Sequence, residues 1–434
     1  MNTPRWYESK REKEMSRQDL GFVPKFSVQE RDRRWNELRK KMSAQGLDAL
    51  LFYGSDIGYN RGMVNFRYIT HFADIHGGWA LFPALGECTV FSGPVHMTIP
   101  YSKYAAIQDW VTDIRPNGGV PAVAKELKER GLDKGRLGIV SFGSTGVSSD
   151  AFPHQSHEQL LKLLPEAEFE DANALLTEMR MIKSKEEIDF LYKAGAIARK
   201  KVEAMIRTVK TGNTEADVFA EMLSADIKNG AEPLGFLLLS TGNVLEADPG
   251  YRFLVHGISQ PASPSMRKLR DGDVAICEFH TSYGGYLAGV EFSVFLGTPP
   301  QELVNIQAAC MEAIQAGVET IRPGSTPREA WKAIRGPVEK RGYDFCELGF
   351  HGHGMASPEY PLSVYREEDG GVMSGIKIAD IPFEEDMVIC LNIDVHDPGW
   401  RKDVGLMYGD MLHVTKEGTK KMVNLPAEFI VNES

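Results

Sequence analysis

The sequence predicts an α/β protein of two domains, the second of which mixes helices and strands in the α+β manner. Its 434 residues suit two domains, because a single domain takes about 100–200 residues. Two observations predict the fold class. Short apolar segments alternate with amphipathic helical segments in the first part of the chain, and one helix–turn–helix segment occurs twice in the second part.

The first domain is predicted over residues 1–172 and begins with an arm over residues 1–25. After the arm, Ser27–Gln45 has the period of an amphipathic helix, which Gly46 ends. The apolar segment Asp48–Tyr53 follows as a buried strand. Further strands are predicted at Ala80–Pro83, Cys88–Phe91 and Leu137–Val140, and further helices at Val120–Arg130 and His157–Leu164.

The second domain is predicted over residues 173–434 and contains an internal repeat. Ser184 and Glu187 form a capping box at the start of a helix that extends to about Val209. The segment 209–230 then aligns without gaps with the segment 321–342, and each copy has a glycine turn followed by a threonine N-cap. The repeat predicts pseudo-twofold helix pairs on a shared sheet, with strands at Asp273–His280, Tyr286–Phe295, Met387–Asp394 and Leu406–Thr415.

Composition narrows the class of partner. The formal net charge of −11 argues against a nucleic-acid partner, because phosphate contacts need clustered Lys and Arg. No segment approaches the ~18 consecutive apolar residues of a membrane span. The five cysteines are scattered and include no CxxC pair, so neither a zinc ribbon nor a disulfide framework is indicated. We therefore expect a cytoplasmic protein that acts on a small molecule.

Five motifs in a fixed order carry a family resemblance. They are the linker and helix start at Met179–Ile188, the duplicated glycine-turn helices, the hairpin Gly284-Gly285-Tyr286, the motif His351-Gly352-His353-Gly354 and the closing stretch Gly405–Gly418. With them, the chain resembles the creatinase/prolidase (M24 metallopeptidase-like) family from Ser27 to its C-terminus. The resemblance implies a creatinase-like N-terminal domain, followed by a pita-bread domain with helix pairs over a curved antiparallel sheet.

The resemblance also implies where a metal centre would lie. Prolidases of this family hold two metal ions with two Asp, one His and two Glu, and those positions correspond here to Glu278, Gly289, His351, Asn392 and Gly409. A glycine has no side-chain donor atom, and a neutral amide is a poor ligand for a hard cation. We therefore expect that the two-metal site does not form and that the chain has no metal or other cofactor.

A single metal ion in a shifted site is the alternative that strand alternation leaves open. Residues two apart on a strand share a face. Acids and histidines converging from several strands could bind one ion. The pairs in question are Glu278 with His280, Gly289 with Glu291, and Asn392 with Asp394 and His396.

Creatinase works without metal, and the resemblance to it implies the catalytic groups. His256 occupies the place of the catalytic histidine before the hairpin, and Glu291 follows Tyr286 by five positions, as a glutamate does in creatinase-like sequences. An imidazole can shuttle protons near neutral pH, so it can activate water and then protonate a leaving nitrogen. We predict His256, His351 and Glu291 as catalytic residues.

The remaining polar residues of these motifs are predicted to bind substrate. This group comprises Glu278, His280, Asn392 and His353. The two arginines with which creatinase fixes its substrate's carboxylate correspond to Gly77 and to a position near Leu362, so creatine itself is not expected. His76 and Arg366 are predicted to replace them. His76 would reach the active site of a neighbouring subunit, so we expect a homodimer whose N-terminal domain contributes to the partner's site.

The predicted function is metal-independent hydrolysis of a C–N bond, of the amidine, urea or cyclic amidine type, in a small polar substrate. Acidic residues around the site favour a positively charged substrate. Three alternatives stay open at this point. They are β-elimination of a small onium or betaine-like compound, an Xaa-Pro aminopeptidase-like metalloenzyme with a shifted metal site, and a non-catalytic binding module.

Overall fold

The computed structural model describes residues 24–55, 62–73, 77–93, 108–140, 152–233, 236–245, 264–364, 372–373, 376–401 and 403–433. The chain divides into two compact units. The first takes in residues 1–54, 66–138 and 153–170, and the second takes in residues 55–65, 139–152 and 171–434.

A six-stranded sheet forms the centre of the first unit. Its strands are β1 (Ala49–Gly54), β2 (Gly78–Pro83), β3 (Thr89–Ser92), β4 (Asp113–Arg115), β5 (Arg136–Ile139) and β6 (Glu168–Asp171), and their order in the sheet is β4-β3-β2-β1-β5-β6. The accompanying helices are α1 (Val28–Gln45), α2 (Val64–Thr70), α3 (Gly119–Glu129) and α4 (His154–Leu163).

Helix α1 shows how local sequence sets an element's ends. The Ser27 side chain accepts a hydrogen bond from the Glu30 N–H, and Gly46 ends the helix in the left-handed conformation with φ of 67°. Leu38 and Met42 are fully buried on the inner face. The boundaries predicted from the sequence are confirmed.

The second unit contains five helices and twelve strands among its described residues. The helices are α5 (Asn173–Met181), α6 (Lys185–Thr208), α7 (Glu215–Lys228), α8 (Gln301–Thr320) and α9 (Pro327–Glu339). The strands are β7 (Leu237–Asn243), β8 (Asp273–Tyr283), β9 (Tyr286–Leu296), β10 (Asp344–Gly352), β11 (Glu359–Val364), β12 (Val372–Met373), β13 (Ile376–Lys377), β14 (Val388–His396), β15 (Gly405–Tyr408), β16 (Met411–Thr415), β17 (Gly418–Lys421) and β18 (Ile430–Asn432).

The threonine N-caps predicted for the helical repeat are confirmed, and each belongs to a capping box. Thr214 caps α7 reciprocally with Asp217, and Thr326 caps α9 in the same way with Glu329. Ser184 makes the third reciprocal cap at the start of α6. The mixed α/β architecture with helix pairs over antiparallel strands is confirmed. No helix in the described part of the chain is long and apolar enough to cross a membrane.

The strands of the second unit form two main sheets, which an isolated backbone bridge joins in the described part of the chain. One sheet has the order β18-β9-β8-β7, and the other has the order β11-β10-β14-β16-β17, with β15 also paired to β14. Gly409 joins them, because its N–H donates to the Glu291 carbonyl at 2.9 Å. Strand β9 belongs to the first of these sheets and strand β14 to the second, and both are buried along their whole length.

The single strand predicted over Leu406–Thr415 was wrong in one respect, since it is two strands separated at Gly409 and Asp410. The physical reason is the buried Asp410 side chain. Its carboxylate accepts the backbone N–H groups of Val423 and Leu425, each at 3.2 Å. These bonds and the bridge at Gly409 replace regular pairing at this point.

Candidate active site

The hairpin of β8 and β9 supplies the first half of the site. In its register Glu278 lies opposite Glu291, and His280 lies opposite Gly289. Because side chains two apart on a strand share a face, these four positions lie next to one another on one side of the hairpin. His280 and Glu291 are buried, whereas Glu278 is partly exposed.

Strands β10 and β14 supply the second half. His351 lies directly opposite Cys390, and Gly349 lies opposite Asn392. Beyond the end of β10, the backbone N–H of His353 donates to the Val388 carbonyl at 2.9 Å, so the pairing continues for one more residue. His351, His353, Cys390 and Asn392 are all buried.

Three histidines that were predicted separately come together here. The ring centre of His353 lies 5.4 Å from that of His280 and 5.5 Å from that of His351. His353 is completely buried, and burial, followed by the charges of His280 and His351, lowers its pKa well below the ordinary value. The His353 ring is therefore neutral near pH 7.

Gly289 is the position at which the family's second metal-binding Asp has been lost. A Cβ atom there would lie 2.9 Å from Cys390 Sγ and 2.9 Å from His353 Cε1. Both distances are closer than real Cβ contacts allow. The side chains of Cys390 and His353 thus occupy the space into which that Asp would extend.

Gly409 is the position at which the second metal-binding Glu has been lost. A Cβ atom there would collide with the Leu391 carbonyl and would lie 3.1 Å from Glu291 Oε2. Glu291 itself is held by β14, because it accepts hydrogen bonds from Asn392 Nδ2 and, at 3.1 Å, from the Ile393 N–H. Asn392, which the family resemblance places at a metal-binding position, therefore uses its amide N–H to bind Glu291.

Glu291 also belongs to a buried pair of carboxyl groups. Burial, and then the charges of Glu347 and Glu278, raise the pKa of Asp394 well above its ordinary value, while a hydrogen bond with Glu291 opposes this shift. Asp394 has no exposed surface. Asp394 and Glu291 are thus two buried carboxyl groups joined by a hydrogen bond.

Buried ion pairs support the strands that carry the site. Glu359 accepts hydrogen bonds from Lys183 Nζ at 3.1 Å and from the N–H groups of Met355 and Ala356, each also at 3.1 Å. These bonds fix the turn that follows His353. On β8, Lys201 donates to Asp226 at 2.6 Å and to the His280 carbonyl at 3.3 Å.

The structure brings together six of the nine predicted site residues, namely Glu278, His280, Glu291, His351, His353 and Asn392. The predicted residues His256, His76 and Arg366 lie outside the described residues. Two neighbours were not named from the sequence as site residues, Glu347 and Cys390, whereas strand alternation had already placed Asp394 in the shifted metal site considered there. The same alternation could have found the other two, because Glu347 lies four residues before His351 and Cys390 lies two residues before Asn392 on β14.

These residues do not fit the family's two-metal centre. Two of its five ligand positions are glycines whose space is filled, and a third is an amide bound to Glu291. The arrangement can instead bind positive charge at the partly exposed carboxylates of Glu278 and Glu347. Its histidines can hold or move protons, since imidazoles titrate near neutral pH unless shifted.

Comparison with known families agrees with this architecture. The model of metallopeptidase family M24 matches residues 189–416. The chain belongs to family M24. The creatinase/prolidase N-terminal domain matches residues 34–182. The family resemblance inferred from the motifs is confirmed, and its characterised relatives are hydrolases.

Two M24 relatives show the range of named activities. An ectoine hydrolase of Halomonas elongata is 24% identical over 312 residues, which cover 70% of this chain and 72% of the relative. An Xaa-Pro dipeptidase of Pyrococcus horikoshii is 27% identical over 307 residues, which cover 70% of this chain and 79% of the relative. The identities are too similar to separate the two activities.

Solved structures of the family share the fold. An Xaa-Pro dipeptidase from Bacillus anthracis has a TM-score of 0.71 at 23% identity, covering 94% of this chain and all of the other. An X-Pro aminopeptidase from Thermotoga maritima has a TM-score of 0.73 at 16% identity, covering 92% of this chain and 99% of the other. At such identities the likeness concerns the fold alone.

Proposed function

We propose that this M24 protein hydrolyses a C–N bond outside peptides, in a small substrate that carries a positive charge of the amidine or guanidine kind. The observation that carries the proposal is the exchange at the metal-binding positions. Glycines 289 and 409 have replaced two carboxylate ligands, and the packed side chains of His353, Cys390 and Glu291 take up their space. The chemistry therefore needs a catalyst other than the family's two-metal centre.

The distribution of negative charge supports a cationic substrate. Glu278 and Glu347 are partly exposed, and both are close enough for their charges to act on Asp394. Glu291 is fully buried and saturated by partners on β14. We therefore assign cation binding to Glu278 and Glu347, and we assign to Glu291 the role of holding β9 against β14. This structural role replaces the catalytic role that the sequence analysis predicted for Glu291.

Proton transfer is assigned to histidines. In the hydrolysis, water adds its oxygen to the carbon, the C–N bond breaks, and a proton passes to the leaving nitrogen. His256 is a candidate for accepting the proton from water and for delivering one to the leaving group, while His351 is a candidate for positioning the substrate or water. His353 is neutral and deeply buried, so it suits a positioning role better than proton exchange with solvent.

A second candidate is a dipeptidase that cleaves before proline. The relatives and solved structures named Xaa-Pro dipeptidase favour it. The ligand positions described above count against it, because dipeptidases of this family depend on the two-metal site that the resemblance implies.

A substrate panel tests the proposal directly. The purified protein is incubated with ectoine, with other cyclic amidines, with guanidino compounds and with Xaa-Pro dipeptides, and released amine or ammonia is measured. We expect turnover within the amidine and guanidine group. Turnover of the dipeptides alone would establish the second candidate instead.

The Glu278→Gln variant then tests the assigned binding group. Because a desolvated charge pair contributes strongly to binding, we expect KM to rise by at least about tenfold, with a smaller change in kcat. The matched control is Glu221→Gln, which makes the same change on the exposed face of α7 and should leave both constants unchanged. An unchanged KM in Glu278→Gln would remove this residue from the site.

A further inference from the structure

A cluster of one thiol and two imidazoles lies beside the proposed substrate site. It is formed by His351, His353 and Cys390, and we call it the thiol–imidazole cluster. One potential ligand atom from each residue lies within 4.8 Å of the other two. All three residues are buried, so their proximity is set by the packing of β10 and β14 and not by mobile surface side chains.

The ring nitrogens of His353 lack well-formed hydrogen bonds in the described part of the chain. Neither of its two ring nitrogens makes a hydrogen bond of normal geometry among the described residues, although the side chain has no exposed surface. Leaving a buried polar group without a hydrogen-bond partner carries a free-energy cost. A cation bound to one of these nitrogens would remove that cost.

His351 is oriented as a metal-binding histidine commonly is. Its Nδ1 lies 2.8 Å from the Gly352 carbonyl oxygen. If Nδ1 carries the proton and donates it to this carbonyl, Nε2 presents a lone pair. A backbone carbonyl that fixes the tautomer in this manner is a usual outer partner of a metal ligand.

Gly289 lets the third ligand approach the others. The space where a Cβ atom would stand is bordered by Cys390 Sγ and by His353 Cε1, each at 2.9 Å. With any larger residue at position 289, the thiol and the imidazole could not close over β9. The glycine at position 289, which has no side chain to bind metal, therefore also leaves the room that the thiol–imidazole cluster fills.

We propose that His351, His353 and Cys390 bind a single thiophilic divalent cation, best matched by Zn²⁺, at a site that shares only His351 with the two-metal centre implied by the family resemblance. Two nitrogens and one sulfur form a donor set that zinc accepts, and that hard oxygen-seeking cations such as Mg²⁺ do not favour. Zinc holds nitrogen at about 2.0–2.1 Å and sulfur at about 2.3 Å, so side-chain movements of roughly an ångström bring the three atoms onto one ion.

This proposal goes beyond the proposed function and does not depend on it. It revises the sequence-based expectation of a metal-free chain, and it differs from the shifted sites considered there, which were built mainly from carboxylates. The ring of His280 lies next to that of His353. The test therefore measures metal content and needs no substrate.

The experiment uses the full-length protein after chelator treatment and dialysis. It is titrated with Zn²⁺, and bound metal is counted by elemental analysis. We expect one ion per chain. A parallel titration with Co²⁺ should produce a thiolate-to-metal charge-transfer band together with the intense visible bands of a four-coordinate site. An absence of stoichiometric Zn²⁺, or a cobalt spectrum without the thiolate band, overturns the proposal.

Variants locate the site. Cys390→Ser and His353→Gln should each weaken Zn²⁺ binding by at least about tenfold, because loss of a ligand costs no less than loss of an outer partner. Cys346→Ser is the matched control, since Cys346 is an exposed thiol on β10, the same strand as His351. An equal loss in Cys346→Ser, or unchanged affinity in both cluster variants, assigns the ion to another place and also overturns the proposal. If a variant does not fold, the cobalt spectrum of the unmodified protein shows whether a thiolate binds the metal ion.

Discussion

At the scale of single residues, the most informative positions are glycines where the family has charged ligands. Gly289 and Gly409 are each surrounded by atoms that leave no room for a side chain. A larger residue at either position would require its neighbours to move. The two glycines are therefore tied to the packing around the site.

The Gly289→Ala substitution tests this packing. The added Cβ atom would push against Cys390 and His353, and we expect the free energy of unfolding to fall by about 1–3 kcal/mol, the usual cost of overpacking. The control is Gly336→Ala on α9, where a Cβ atom would meet nothing within 4 Å. There, alanine should stabilise by about 0.5–1 kcal/mol. Urea unfolding measures both, and a Gly289→Ala protein as stable as the wild type would contradict the account.

Asp410 makes stability depend on pH. Burial raises its pKa from an ordinary value of 3.8 to about 6. Because the folded protein binds this proton more tightly than the unfolded chain, the favourable contribution is complete below about pH 4 and is lost as the pH rises to about 6. The difference of about two pKa units corresponds to roughly 3 kcal/mol.

The Asp410→Asn variant should remove this dependence. Relative to the variant, the wild type should lose up to about 3 kcal/mol of unfolding free energy between pH 4 and pH 7. Denaturant unfolding at both pH values measures the difference, and the exposed variant Glu221→Gln should follow the wild type. A constant difference between wild type and Asp410→Asn across this range would show that Asp410 does not titrate there.

At the scale of elements, the helical repeat depends on reciprocal caps. Thr326 and Glu329 satisfy backbone donors at the start of α9, as Thr214 and Asp217 do at the start of α7. The caps fix where each second helix begins, and so they fix how the helix pair lies on its sheet. The threonine N-cap, which was one of the aligned positions from which the repeat was recognised, thus has the same structural role in both copies.

Removal of a cap should have a small and specific cost. We expect Thr326→Ala to lower the free energy of unfolding by about 1 kcal/mol, and we expect Thr326→Ser, which keeps the hydroxyl, to lose much less. Thermal or urea unfolding of the two variants checks this. Equal losses in Ala and Ser variants would mean that the methyl group, and not the cap, is responsible.

Strand order explains how distant residues reach one site. β8 and β9 are neighbours in the chain, whereas β10 and β14 pair with one another across an intervening segment. The bridge between Glu291 and Gly409 then joins the two sheets. Residues from four strands thus surround a small volume, a common way for a rigid scaffold to hold functional groups in place.

At the scale of the whole molecule, we expect a homodimer. The prediction rests on the family resemblance and on His76, which lies next to Gly77, the position that corresponds to creatinase's substrate-binding arginine from the partner's N-terminal domain. Light scattering at micromolar concentration should give twice the chain mass of 48.3 kDa. A fully active monomer would contradict it, and His76→Ala should then leave KM unchanged.

Local sequence was enough to identify the family, the helix ends and the missing metal ligands. Capping boxes, glycine turns and strand-bound motifs are short-range features, because the residues that act together are within a few positions of one another. The correspondence of Gly289, Asn392 and Gly409 to metal-binding positions also came from the sequence, since each lies inside or beside a motif that carries the family resemblance.

Tertiary structure alone brought His353 and Cys390 together over Gly289, and placed Asp394 against Glu291. These groups come from strands separated by up to about a hundred residues, and a shift of one residue in strand pairing would turn every one of them to the opposite face. Their meeting depends on the register of β10 with β14 and on the bridge between the two sheets. Register is a property of the packed molecule, because it is set by which faces must be buried together.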